Sequence, residues 1–292
     1  MSFDPRLPDD RVNVSGTNPL AEAGLLVGGL VAVVVAIAVA SSLVMEWLVP
    51  RLPTSLEMRV FGGGWLASLG PDDAEQGAPD RREASLKALV DRLALHWPES
   101  PYDFKPMLWE EESPNAFALP GGWIGVTTGL LAEVDSENEL AFVLGHEIGH
   151  FRNRDHLKGL GRGLALGIVL SAVGLSGVGA AGDLAGLAGG LAQRSFDREQ
   201  ESDADEFGLG VVAAEYGHVA GAAEFFRRMP DPEGLLGEKV EAYLSTHPIS
   251  EERIQELEAY ADEQGFAREG ELSALPEELI EADDATSDGG ED

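Results

Sequence analysis

The sequence contains no cysteine. This absence excludes disulfide bonds, zinc sites built from thiolates and cysteine nucleophiles, although it does not assign the protein to the inside or the outside of the cell. Lysine is also scarce, with four residues in a chain of 292 (Lys87, Lys105, Lys158 and Lys239). A metal site in this chain must therefore use ligands other than thiolates.

Positive charge is low throughout, because 52 acidic residues stand against 20 basic ones and give a net charge of −32. This balance argues against nucleic acid or an anionic membrane surface as a partner. Residues 269–292 hold ten of the acids, and the other 42 acids still leave −22. We expect a disordered acidic tail over 263–292.

So acidic a surface is typical of adaptation to high salt, where screening relieves the repulsion between like charges. We expect the melting temperature to rise between low salt and molar KCl. Thermal unfolding followed across that range checks this. A melting temperature that does not change would rule the adaptation out and leave an ordinary acidic protein.

One long apolar run lies near the N-terminus. Residues 23–49 carry a single charge, at Glu46, and are otherwise almost entirely apolar. This run is long enough to cross the roughly 30 Å of hydrocarbon in a bilayer. We predict a polar segment over 1–21, a transmembrane helix over 22–49 that binds the lipid bilayer, and a linker over 50–83. The alternative is a buried core helix. The basic residues around the run are nearly balanced, and a single N-terminal anchor most simply leaves the rest of the chain outside the cytoplasm.

The sequence His146-Glu147-Ile148-Gly149-His150 follows a helix-start signal at Ser136-Glu137-Asn138-Glu139. On a helix, His146 and His150 lie one turn apart on the same face and can bind one divalent cation together. Glu147 points to the side, where its carboxylate can accept a proton from water at the metal. The alternative is that these three residues simply lie on a packed helix.

A second charged stretch, residues 196–208, contains Glu201 and Asp205, again four apart. A catalytic zinc ion takes three protein ligands and keeps a fourth position open, so Glu201 is the candidate third ligand. Asp205 can accept the outer ring N–H of a ligating histidine and fix its orientation. The alternative is a solvated acidic face.

Two short apolar runs flank Pro120-Gly121-Gly122, which predicts a strand, a tight turn and a second strand. The first strand is a candidate edge on which an extended peptide substrate adds by backbone hydrogen bonds. A core hairpin without substrate contact is the alternative. The proposed substrate strand comprises Asn115, Ala116, Phe117, Ala118, Leu119, Gly121 and Gly122.

The glycine-rich apolar stretch at 163–192 is long enough for a second membrane contact, although its nine glycines between 163 and 190 favour a flexible loop or shallow hairpin. Both interpretations remain open from the sequence.

At four blocks the chain resembles the M48 family of zinc metallopeptidases. The blocks are Asn115-Ala-Phe-Ala-Leu-Pro-Gly-Gly122, Gly145-His-Glu-Ile-Gly-His150, Arg198-Glu-Gln-Glu201 with Asp205-Glu-Phe-Gly208, and Ser245-Thr-His-Pro248 with Arg253-Ile254. Over residues 84–262 the resemblance implies an α+β, zincin-like fold that is mainly helical with a small antiparallel sheet. It also implies one zinc ion per chain on His146, His150 and Glu201, with Glu147 as the catalytic residue. The chain departs from the family pattern at Asp155 and Asp197.

The resemblance implies an endopeptidase acting on proteins or peptides, of a kind that includes membrane-anchored quality-control proteases. We expect His247 or Arg253 to help stabilise the oxyanion. A sharper hypothesis is that His247 occupies the open position of the zinc ion and silences the enzyme until substrate displaces it. A structural role for His247 remains an alternative. Two other functions remain open: a zinc-containing, chaperone-like binding module for misfolded envelope proteins, and a metal-dependent amidase or other hydrolase.

Overall fold

A computed structural model of the protein describes residues 19–63, 81–159, 196–228 and 246–280. The predictions for 1–18, for the stretch 163–192 and for the end of the acidic tail lie outside these residues. The helices are α1 (Pro19–Leu48), α2 (Thr54–Phe61), α3 (Arg81–Ala94), α4 (Thr128–Glu133), α5 (Glu137–Asn153), α6 (Arg198–Tyr216), α7 (Glu224–Arg228), α8 (Glu251–Gln264) and α9 (Glu277–Ile280). The strands are β1 (Lys105–Trp109), β2 (Ala116–Leu119) and β3 (Trp123–Thr127).

The fold class is confirmed: the described part is mostly helical with one small sheet. The sheet is mixed, however, and not wholly antiparallel. Strands β2 and β3 form the expected antiparallel hairpin, whereas β1 pairs with β3 in parallel, in the order β1-β3-β2. The hairpin turn needs glycine, because Gly121 and Gly122 have φ values of 90° and 86°.

The core is built around helix α5, whose residues Leu140, Val143, Leu144 and Ile148 are fully buried as its sequence period predicts. Helix α6 packs directly on α5 through small residues. A methyl group added at Gly149 would lie 2.8 Å from Ala204 Cα, and one at Gly145 would lie 3.1 Å from Gly208 Cα. This close approach brings the His-Glu-x-x-His helix against the helix that carries Glu201.

Helix α1 is the one helix among the described residues that is long and apolar enough to cross a membrane. Its 30 residues correspond to about 45 Å. Its side chains are largely exposed, as they would be against lipid, with Leu25 at 78% and Leu26 at 75%. A buried core helix is not what the structure shows.

The segment after α1 corrects the predicted linker at 50–83. A 3₁₀ turn at Val49–Arg51 and helix α2 follow α1 directly, and α2 places Glu57 in the interior with 4% exposure. The linker prediction came from the glycine, proline and aspartate content of the region. Such composition cannot show that a single glutamate is buried. Residues 64–80 lie outside the described part.

The predicted tail is likewise wrong for residues 263–280, because α8 continues through Gln264 and the segment after it packs on the domain. The Glu137 N–H donates to Ser273 O at 2.9 Å, and the Ser273 N–H donates to Asn138 Oδ1 at 2.8 Å. Leu279 is buried at 2% exposure, while the neighbouring acids Glu277 and Glu278 face solvent. The acidic composition described only the outer face of a segment that packs on the start of α5.

Candidate metal centre and active site

Both helices of the site begin at side-chain caps. Ser136 caps α5 by accepting from the Glu139 N–H, as the sequence predicts. Asp197 caps α6 in a full capping box with Gln200, so the departure from the family pattern at this position supplies an N-cap. The caps fix where each helix starts and therefore which residues face the other helix.

Four donor groups converge between α5, α6 and the loop before α8. His146, His150, Glu201 and His247 are all buried, and one ligand atom from each lies within 4.8 Å of the others. His146 Nε2 is 3.1 Å from both His150 Nε2 and His247 Nδ1. The Glu201 carboxylate lies 3.6 Å from His146 Nε2, 3.5 Å from His150 Nε2 and 3.0 Å from His247 Nδ1.

These separations fit a zinc ion. Zinc–nitrogen bonds of about 2.0–2.1 Å in a tetrahedron place neighbouring ligand atoms roughly 3.3–3.4 Å apart, which lies within the observed 3.0–3.6 Å. Three imidazole nitrogens and a carboxylate are also a donor set that zinc prefers. The predicted ligands His146, His150 and Glu201 are therefore brought together as expected.

The electrostatics of the site favour a cation. Burial alone lowers the pKa of His150, but the hydrogen bonds with Asp155 and Glu201 outweigh it and raise the pKa to about 10. Burial works against ionisation of Glu201, yet His247, His150 and Arg253 hold its pKa well below the usual value. The site thus carries negative charge that a divalent cation, taking the place of a proton, would compensate.

Each α5 histidine has a carboxylate on its outer nitrogen. Asp205 Oδ1 lies 2.8 Å from His146 Nδ1, as the sequence predicts. Asp155 Oδ2 lies 3.1 Å from His150 Nδ1, and Gln200 Nε2 donates to Asp155 Oδ1 at 2.7 Å. The role of Asp155 was missed from the sequence, where the residue stood out only as a departure from the family pattern. Such partners fix the ring so that Nε2 faces the metal.

Glu147 is fully buried beside the ligand set. Neither of its carboxylate oxygens has a hydrogen-bond partner among the residues that the structure describes. Its Oε1 lies 3.4 Å from His247 Nε2. A buried carboxylate without a hydrogen bond is costly for a fold, and this one lies where a base for water at the ligand set would stand.

His247 lies between the ligands and Glu147: its Nδ1 faces His146 and Glu201, and its Nε2 faces Glu147. This is the place at which a fourth ligand would stand. The predicted alternatives for His247, an oxyanion donor or an occupant of the open position, therefore both concern a residue inside the site.

Arg253 lies elsewhere than predicted. Its guanidinium is 2.5 Å from Glu201 Oε2, donates to both oxygens of Asp205 at 2.5 and 2.7 Å, and donates to Pro248 O at 3.1 Å. These contacts direct the guanidinium of Arg253 at the ligand Glu201 and at Asp205 behind it. The expectation of an oxyanion donor is corrected, since this arginine orients Glu201 and Asp205.

The predicted substrate strand β2 is an edge of the three-stranded sheet and adjoins α5. Its residues are buried, from fully buried Ala116 and Leu119 to Ala118 at 7% exposure. Phe117 packs over Gly125 of β3, where an added Cβ would lie 2.2 Å from its ring. The role of β2 in binding substrate stays a prediction that concerns its outer backbone edge.

Glu57 joins α2 to three other segments. Its carboxylate accepts from Tyr102 Oη at 2.9 Å, from the Gly121 N–H at 3.0 Å and from His156 Nε2 at 2.9 Å. Burial would raise the pKa of Glu57, but His156 together with the Gly121 and Tyr102 hydrogen bonds lowers it to about 2. The ionised carboxylate therefore stabilises the fold.

We expect Glu57→Gln to lower the free energy of unfolding at pH 7 by about 2–3 kcal/mol, or the melting temperature by roughly 5–10 °C. Because the folded pKa is the lower one, this contribution is present above about pH 4.5 and is lost as the pH falls toward 2. Thermal unfolding in detergent measures it, with exposed Glu99→Gln as the control. Equal melting temperatures for E57Q and the parent at pH 7 would contradict the stabilising role.

Comparison with known proteins agrees with the family resemblance seen in the sequence. The family model "Peptidase family M48" matches residues 80–261. A putative beta-barrel assembly-enhancing protease of Vibrio cholerae is 30% identical over 209 residues, which cover 67% of this chain and 42% of that protein. The mitochondrial metalloendopeptidase OMA1 of Schizosaccharomyces pombe is 34% identical over 54% of this chain and 47% of its own length. The metalloprotease LoiP of Escherichia coli is 29% identical over 59% of this chain and 68% of its own length. The chain thus spans less than half the length of the first two relatives.

Proposed function

The chain belongs to peptidase family M48, and we propose that it is a membrane-anchored zinc endopeptidase that hydrolyses peptide bonds in proteins. Members of this family use zinc. The observation that carries the proposal is the buried convergence of His146, His150 and Glu201 beside Glu147. A pure binding site has no need of a general base next to the metal ligands.

The residues divide the chemistry between them. Zinc, when bound, supplies a Lewis acid that polarises the scissile carbonyl and lowers the pKa of water to about 7. Glu147 accepts the proton of the attacking water and delivers it to the leaving amine. Asp205 and Asp155 keep the two α5 histidines in the tautomer that ligates, and Arg253 holds Glu201 in place.

We infer further that His247 is a competing occupant of the position that water and substrate need. In support, His247 Nδ1 stands 3.1 Å from His146 Nε2 and its Nε2 faces Glu147. Displacement of His247 by substrate then opens the site.

On this basis we expect His247→Ala to raise the rate of casein cleavage by about three- to tenfold, as removal of a dominant closed state would. Zinc content should stay unchanged, because three ligands remain. His96→Ala, at a surface histidine paired with Glu215, is the matched control. Loss of cleavage in H247A would instead assign His247 to oxyanion stabilisation.

A chaperone-like binding module is the alternative function. It predicts that the zinc-loaded protein binds unfolded casein without cleaving it. Fragments of casein formed by the parent chain, absent with E147Q, decide for the peptidase. A metal-dependent amidase on the same ligands would leave casein intact and cleave small amides.

The membrane location and a role in protein quality control are parts of the same proposal. Helix α1 supports the location, and the similarity to the Vibrio cholerae beta-barrel assembly-enhancing protease supports a task in the envelope. We place the catalytic domain outside the cytoplasm. Since the chain has no cysteine, Glu269→Cys probed with an impermeant thiol reagent tests this placement cleanly.

A further inference from the structure

The end of the anchor is bound directly to the helix that carries the metal ligands. Arg154, the C-cap of α5, donates from Nη1 to Val49 O at 2.8 Å and also to Leu52 O. Its φ of 59° is the one positive value at a non-glycine residue in the described part of the chain. The left-handed conformation ends α5 and directs the guanidinium to the main chain that follows α1.

The Glu57 contacts reinforce this junction. Glu57 lies nine positions after Leu48, and it is held by the hairpin turn at Gly121 and by His156, two residues past Arg154. Phe61 and Gly62, at the end of α2, accept from Trp123 Nε1 and Lys105 Nζ. The segment between anchor and domain is thus part of the peptidase fold. Residues 64–80 come after α2, so they add no freedom between the anchor and the site.

The distance from anchor to metal centre is short. His150 precedes Arg154 by four residues, about 6 Å along the helix axis. With the reach of the arginine side chain added, the site lies on the order of 15 Å from the end of α1, which an extended peptide covers in about five residues.

The surface beside the anchor fits a bilayer. Leu56 and Val60 are one turn apart on α2 and are 43% and 56% exposed. Trp47 is 60% exposed with Arg51 4.4 Å from its ring, an aromatic and basic pair typical of the membrane interface. These exposed groups follow the apolar helix α1 directly along the chain, and lipid is the partner that fits their apolar and interfacial character.

We propose that the peptidase site is held at a fixed, short height above the bilayer, and that in membrane-anchored substrates it cleaves bonds within about ten residues of the lipid surface. This rests on the proposed function. A domain on a flexible linker would reach peptide bonds at many heights above the bilayer. A domain bound to the anchor through Arg154 and Glu57 reaches only a narrow range of heights.

The test uses the full chain in vesicles together with single-span substrates. Each substrate carries the same casein segment, chosen because the enzyme cleaves it in solution. The segment is placed either directly after the span or beyond a helical spacer of six Glu-Ala-Ala-Ala-Lys repeats, about 45 Å long. We expect cleavage of the spaced substrate to be at least tenfold slower.

The matched enzyme variant carries the same spacer between Leu48 and Val49, which leaves the Arg154 and Glu57 contacts intact. It should reverse the preference and cleave the spaced substrate at least tenfold faster than the near one. Soluble casein should be cleaved equally by both enzymes.

The height restriction is overturned if the parent cleaves the near and the spaced substrate at equal rates, or if the spacer in the enzyme does not reverse the preference. In either case, cleavage of soluble casein would still support the proposed function. Absence of casein cleavage by both enzymes would overturn the proposed function itself, and the restriction with it.

Discussion

We expect Glu147→Gln to lower the rate of casein hydrolysis by about 10²–10⁴-fold, the range for removal of a general base. Glutamine has the shape of glutamate but cannot accept the proton of the attacking water. Glu147 is not one of the four convergent ligand groups, so zinc content should stay at one ion per chain. Metal analysis and casein cleavage on the same preparation measure both quantities.

Two comparisons make this result specific. Exposed Glu99→Gln carries the same chemical change away from the site and should retain parental activity. Melting temperature should not fall in E147Q, because the carboxylate has no hydrogen-bond partner in the described part of the chain to lose. If E147Q cleaved casein as fast as the parent, the observed activity would come from a contaminant, and the catalytic assignment would fail.

We expect Glu201→Gln to weaken zinc binding more strongly than substitution of any residue that contacts the ligands from behind. The substitution removes the carboxylate charge that compensates the metal and faces both α5 histidines. Loss of an outer partner of a ligating histidine typically costs about 10–100-fold in affinity. We therefore expect Asp205→Asn and Asp155→Asn each to lower zinc affinity by an amount in that range, and Glu201→Gln to lower it by more. Activity should fall in proportion to the zinc affinity.

Competition with a chelator of known affinity measures this order without reliance on activity. Glu199→Gln is the matched control, since Glu199 is exposed on the same turn of α6 and faces away from the ligands. Equal zinc affinity of E201Q and E199Q would show that Glu201 is not a ligand. A similar loss of zinc affinity in D205N and E201Q would instead indicate that the two α6 carboxylates act only through their combined negative charge.

Local patterns in the sequence predict the elements of the site well. The helical period of α5, its cap at Ser136 and the spacing of His146 and His150 each depend on residues within about one or two helical turns of each other. The same holds for Glu201 and Asp205 on α6 and for the glycine turn between β2 and β3. Such features are confirmed because chain neighbours alone decide them.

Composition was a poorer guide to segments at the edges of the fold. The region 50–83 has the glycine and proline content of a linker, yet α2 lies within it and buries Glu57. The region 263–280 has the charge of a disordered tail, yet Leu279 and the backbone of Ser273 pack on the domain. A single buried side chain with good partners outweighs an average over many exposed ones.

By itself, the sequence determined an apolar helix long enough to cross a membrane, a His-Glu-x-x-His helix, an acidic helix able to complete a zinc site, and the family. Only the tertiary structure decided which groups meet: Asp205 with His146 across 59 positions, His247 with His146 across 101, and Arg154 with Val49 across 105. These pairings depend on how helices and loops pack, above all on the glycines that let α5 and α6 approach closely. Spacing along the chain fixes which face of a helix a residue occupies, but packing alone fixes what that face touches.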